Sequence, residues 1–228
     1  MSTLSNVKTR RGENNPLSVR FTPDAFPEAK SSKTGVSVRY VYQEDKQWFV
    51  FRASYGRVDK VSDFLVEDQT YTYIAKRYAY KTIHGKRKRL LIPLIPNLLF
   101  AYTTREKAEE YVHATPALSY LSFYYNHFEL DDNHKNPPLI ISNNEMYKFV
   151  VGTKSHNEHL IFIDSSKCTF RQGEYVRVIE GSFMGLEGQV TRVAGQQRVV
   201  VNINGLGVIA TAYIPTAFLE KIDINENG

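Results

Sequence analysis

One cysteine, Cys168, leaves no partner for an internal disulfide and excludes a CxxC metal motif. Such scarcity is consistent with a reducing compartment, and Cys168 is expected as a small buried apolar side chain. No stretch approaches the ~20 apolar residues of a membrane span. The first residues, Met1 to Arg10, lack the apolar run of a signal peptide, so a cytoplasmic, soluble chain is expected. Gly-rich phosphate loops and a nucleophile elbow are also missing. The six histidines are scattered, and His156-Asn-Glu-His159 lacks the third ligand a metal site needs. Asp131 and Asp132 sit together with no second group for acid/base work. The expectation is a protein that is not an enzyme and holds no cofactor or metal.

What is present suffices for a core. Hydrophobic residues make up 42% of 228, charged residues 23%, so one large domain or two small ones are possible. Aromatics reach 13%, with 15 Tyr and 13 Phe against the single Trp48. Tyrosine suits half-exposed strands, where an apolar body and a polar tip both find a place. A net charge of +5 is weak evidence for a polyanionic partner.

Residues 1 to about 35 are polar, with only Leu17, Val19, Phe21 and Phe26 able to bury area, which favours a loose tail. Val36, Val38, Tyr40 and Tyr42 alternate and suggest an extra edge strand. Trp48 to Ala53 predicts a buried strand. Val58, Val61, Phe64 and Leu65 then recur at helical spacing. Tyr71 to Ala75 is strand-like, and so is Asn97 to Tyr102, after Pro93 and Pro96. Thr103 with Glu106 fits a capping box before a helix with Ala108, Tyr111 and Val112 inside. Ala117 to Tyr125 predicts a strand and Asp131 to Pro138 a polar loop. Ser142 with Glu145 makes a second capping box, followed by Met146, Phe149, Val150 and Thr153 on one face. From Phe170 onward the pattern is strands only.

Lys76 to Arg89 holds Lys76, Arg77, Lys81, Lys86, Arg87, Lys88 and Arg89 and no acid. Tyr71, Tyr73, Tyr78 and Tyr80 interleave. Cations attract phosphates and tyrosine faces stack on unpaired bases. His84-Gly-Lys-Arg reads as the tip of a hairpin that projects this charge. A solvated hairpin with no ligand weighs about equally. Further on, Val176/Val178 and Val190/Thr191/Val193 alternate around Gly181, Gly185 and Gly188, which points to a small β-barrel that binds a partner. In Leu94 to Phe100 alternate side chains face opposite ways: Leu99 and Ala101 enter the core while Leu98 and Phe100 face outward, or the reverse. Large apolar residues on a free sheet face would mark a partner site.

These residues carry a resemblance. Gly173-Glu-Tyr-Val-Arg-Val-Ile-Glu-Gly-Ser-Phe-Met-Gly-Leu-Glu-Gly-Gln-Val190 resembles a KOW motif. Trp48-Phe-Val-Phe with its helix resembles the start of an NGN domain. Pro93-Leu-Ile-Pro-Asn-Leu-Leu-Phe100 resembles the Pro-rich strand of the NusG family. The motifs occur in family order over about Lys46 to Ile222. His84-Gly-Lys-Arg and Asn97 are similar to the specialised RfaH and UpxY types. The resemblance implies an α+β fold: an NGN-type sandwich, then a small SH3-like KOW barrel. It divides the chain into an N-terminal extension at 1–45, largely flexible, the NGN domain at 46–155, a linker at 156–169 and the barrel at 170–228.

The function implied is transcription elongation and antitermination. The chain would bind RNA polymerase and promote readthrough of long operons for capsular or other polysaccharides. Ile95, Leu98 and Phe100 would contact polymerase, although the family has aromatics at Ile95 and Leu98. Lys81, Lys86, Arg87, Lys88 and Arg89 would face upstream or non-template DNA or nascent RNA. Phe183, Met184 and Leu186 would meet the barrel's partner, such as Rho or a small-subunit ribosomal protein, with barrel core the competing role for them. The alternative is an RNA- or ribosome-binding KOW module. Some RfaH-type KOW domains refold into helices. Gly181, Gly185, Gly188, Gly195, Gly205 and Gly207 argue against that here, at ~1 kcal/mol each relative to Ala.

Overall fold

A computed structural model describes residues 25–164, 173–193 and 195–222. Leu17, Val19, Phe21 and Cys168 lie outside them. The chain enters through two short paired strands, β1 (Ala29–Lys30) and β2 (Ser37–Val38). This pair forms its own small sheet rather than an edge of the main one. Nor is 25–45 a loose tail. Phe26 stacks on Tyr40 at 4.3 Å, and Tyr40 on Trp48 at 5.5 Å. The Ser32 amide and hydroxyl each donate to Asp63 at 2.7 Å, and Ser31 donates to Glu67. Aromatic burial and carboxylates on the following helix therefore hold the segment down.

The first unit is a five-stranded antiparallel sheet. Its strands are β3 (Gln47–Ala53), β4 (Tyr71–Tyr73), β7 (Leu98–Thr103), β8 (Leu121–Phe123) and β9 (Ile140–Ile141). They run in the order β4-β7-β3-β8, with β9 also on β3. Helix α1 (Val58–Glu67) covers one face. So does α2 (Arg105–Glu109), which continues into a π-turn at Glu110–Ala114. Phe49, Phe51, Leu99 and Ala101 point to that face and meet Val61, Leu65, Ala108 and Tyr111. The cap of α2 is Thr104, whose side chain accepts from the Lys107 amide. The expected Thr103/Glu106 box is thus shifted by one, because Thr103 is the last, buried residue of β7. The second box is as expected: Ser142 caps α3 (Asn143–Thr153), with Glu145 answering.

Strands β5 (Lys76–Ile83) and β6 (Lys86–Pro93) pair only with each other and leave the sheet as a ribbon. The second unit is a six-stranded antiparallel sheet. Its members are β10 (Ile161–Asp164), β11 (Tyr175–Val178), β12 (Glu187–Val193), β13 (Gln196–Ile203), β14 (Gly207–Tyr213) and β15 (Leu219–Lys221). Their order is β10-β14-β13-β12-β11-β15. Among the described residues no ladder joins β10 to β15, so the expected closed barrel is an open sheet here. Gly188 lets β12 and β13 approach: a Cβ there would meet the Val200 carbonyl oxygen at 2.3 Å. Ile161–Asp164, expected within a linker, is instead an edge strand paired to β14.

Helix α3 lies between the two units. Phe149 packs on Phe100 at 4.9 Å on one side. On the other, Gly152 faces Ile209 and Leu186. One apolar cluster consequently runs from Trp48 and Phe100 through Met146, Phe149 and Val150 to Val199 and Ile209. No helix among the described residues is long and apolar enough to cross a membrane.

Candidate functional site

The ribbon holds the densest charge. Its turn is His84-Gly85, both with positive φ (48° and 73°), which a two-residue hairpin loop of this hand demands. Register then sorts the side chains. Directly opposed residues share a face, so Tyr78, Tyr80 and Thr82 lie with Leu91, Arg89 and Arg87. The Arg87 guanidinium sits 4.2 Å from the Tyr80 ring centre, and Arg89 3.9 Å from that of Tyr78. Such planar contacts hold an arginine extended while its N–H groups still point to solvent.

The reverse face carries Lys81 opposite Lys88 and Lys86 opposite Ile83. Like charges set directly across a ladder repel, and a bound anion relieves that repulsion. Among the described residues, Lys81, Lys86, Arg87, Lys88 and Arg89 form no ion pair, whereas Lys76 at the base meets Asp59 at 2.7 Å. All five are exposed. The ribbon therefore brings the expected nucleic-acid residues together, with Lys on one face and Arg over Tyr on the other.

The base of the ribbon is tied to the junction between the units. The Tyr78 amide donates to the His156 carbonyl at 3.0 Å, and Arg77 donates to the Glu158 carbonyl at 3.0 Å. Arg198, buried in β13, donates to the His159 carbonyl at 2.8 Å and to that of Thr211 at 2.7 Å. His156 and His159 thus serve the backbone of this junction. No group of metal-ligating residues assembles among the described residues.

The three residues expected to face polymerase lie elsewhere. Ile95, Leu98 and Phe100 are buried at 6%, 6% and 1% exposure. The free sheet face assumed for them is covered by α3 and by the Phe26–Tyr40 stack. Burial also holds the Tyr71 and Tyr73 hydroxyls well above their usual pKa, so both stay protonated. Tyr71 donates to the Pro27 carbonyl at 2.6 Å, and Tyr73 shares a 2.7 Å hydrogen bond with Thr153. As folded, the Ile95, Leu98 and Phe100 side chains are covered by other described residues. In the second unit Phe183 and Leu186 are core residues. Only Met184 of that trio projects, with 65% exposure.

One exposed apolar feature was not anticipated. Between β8 and β9 the chain leaves the sheet as a loop, and Phe128 and Leu130 on it are 66% and 65% exposed. The loop braces itself. Asn126 accepts from the Phe128 amide, and Asn136 donates to the carbonyls of Asn126 and Glu129 at 2.8 and 2.9 Å. Asp131 accepts from the amides of Asn133 and Lys135 at 2.9 and 2.8 Å. Its flank borders a groove of about 810 Å³ lined by Pro137, Pro138, Ile140 and the Asn202–Gly205 turn of the second unit. The sequence signal, Phe128-Glu-Leu130 just before a polar loop, was short and lacked periodicity.

Residues 46–150 match the family model described as Transcription termination factor nusG. Over these residues the chain is similar to the NusG family. The matched segment runs from the residue before β3 through most of α3 and includes the ribbon and the braced loop. The similarity is thus to a family of transcription factors. The second sheet lies outside the matched residues. No curated protein matches the chain.

Proposed function

We propose that this chain is an elongation factor that binds RNA polymerase through its NusG segment and promotes readthrough of long operons, as the RfaH and UpxY types do for capsular or other polysaccharides. The observation that carries this reading is the coincidence of the NusG match with an acid-free basic ribbon inside it. In this reading Lys81, Lys86, Arg87, Lys88 and Arg89 hold upstream or non-template DNA or nascent RNA. Ile95, Leu98 and Phe100 shape the sheet from inside and are reached by polymerase only where α3 and the Phe26–Tyr40 stack are displaced. The second sheet acts as the KOW unit and selects a second partner, Rho or a small-subunit ribosomal protein, with Met184 on its surface.

The test is terminator readthrough by cognate polymerase with purified protein. Changing the five ribbon cations to alanine is expected to abolish the readthrough gain. Each lost phosphate contact should also flatten the salt dependence of nucleic-acid binding by about 0.7–0.9 in log–log slope. Full readthrough by the five-fold variant would refute the ribbon's role. Binding of naked RNA with no affinity for polymerase would favour an RNA- or ribosome-binding module instead.

A further inference from the structure

Phe128 and Leu130 are large, apolar, exposed and held on a loop whose backbone is already ordered. A contact presented on a pre-ordered backbone loses less conformational freedom on binding. The same loop carries Glu129, Asp131 and Asp132 against a single Lys135, on a chain whose net charge is +5. It grows from β8, while the basic ribbon follows β4, and these are the two outer strands of the β4-β7-β3-β8 order. Apolar, acidic character is thus placed at the sheet edge opposite the basic ribbon. Three carboxylates repel a polyanion, which excludes nucleic acid as the occupant of this edge.

We propose that the loop from Asn126 to Asn136 is a contact of the NusG segment with RNA polymerase, entering an apolar cleft on the enzyme that is rimmed by Lys and Arg. The inference rests on the polymerase reading above and adds to it a surface that is exposed as folded. The expected residues Ile95, Leu98 and Phe100 are covered, whereas Phe128 and Leu130 stand free within the matched residues. Phe128 and Leu130 fill the cleft. Glu129, Asp131 and Asp132 pair with its rim, which fixes orientation and speeds association.

The experiment measures binding of the intact chain to immobilised cognate core RNA polymerase. Phe128→Ser with Leu130→Ser should weaken binding about tenfold or more, as loss of central apolar anchors does. The melting temperature should stay unchanged, because both side chains are exposed. Glu129→Lys with Asp132→Lys should also weaken binding, more at low salt than at high salt. Tyr213→Ser, an exposed aromatic of the second sheet, should bind as the wild type does. Failure of the wild type to bind polymerase would overturn the polymerase reading, and this inference with it. Wild-type binding matched by the Phe128/Leu130 variant would overturn the inference alone. So would unchanged polymerase binding with loss of self-association in light scattering, which would make the occupant a second copy of this chain.

Discussion

Gly152 tests how the two units are joined. It lies in the last turn of α3, where a Cβ would stand 2.8 Å from Ile209 Cδ1 and 3.3 Å from Leu186 Cδ1. In Gly152→Ala two effects oppose each other. Alanine favours the helix by at most about 1 kcal/mol, less near a helix end. The new methyl must displace the tip of Ile209, a flexible group, at a comparable cost. A stability within about 1 kcal/mol of wild type is expected for this variant. Gly152→Leu adds three further carbons where both neighbours are buried, and overpacking of that kind costs about 1–3 kcal/mol. For a chain of this size each kcal/mol lowers Tm by about 2–4 °C. Scanning calorimetry of the intact chain reads this loss, and small-angle scattering reads the separation of the second sheet from α3 as a larger radius of gyration. Wild-type melting and radius in Gly152→Leu would refute the packing of Leu186 and β14 on α3.

Two further outcomes follow from the local chemistry. Burial pushes the Asp68 carboxyl up, but hydrogen bonds from Tyr111 and Lys107 outweigh it and hold the pKa below 3.8. Its stabilisation is therefore present above the unfolded value and lost as pH falls through the folded one. Asp68→Asn should cost about 0.5–1 kcal/mol near neutrality, discounted for the group's exposure, and this deficit should vanish in acid, as denaturant titrations at several pH values would show. At the start of α3, Ser142→Ala should cost about 1 kcal/mol through the lost cap. Glu145→Ala should cost more, because Glu145 also accepts from the Asn204 amide of the second sheet at 3.1 Å; urea midpoints distinguish the two.

The elements that were legible in the sequence have strong local signals. The ribbon announced itself by alternating Tyr and cations around His84-Gly85, and α3 by its capping box and the Met146, Phe149, Val150 spacing. What escaped was the fate of faces. Every residue of β7 from Leu98 to Thr103 is buried, so alternation there says which side chains share a face but not what covers it. The cover comes from Phe26, Tyr40 and Phe149, distant in sequence. Phe183 and Leu186 went the same way, since a turn residue enters the core only through tertiary packing. Phe128 and Leu130 were missed for the opposite reason: two apolar residues beside an acidic loop have no period to reveal them.

The junction at His156 to His159 sets a mechanical limit. Its carbonyls are held from one side by Tyr78 and Arg77 and from the other by Arg198, with no slack residue between the grips. A rotation of the second sheet about this point would act on the root of the ribbon as a lever acts on its fulcrum. Tilting the sheet would swing the His84 tip, some six residues further out, through a wider arc than the root itself travels. A displacement of the second sheet would in that way steer where the five cations point.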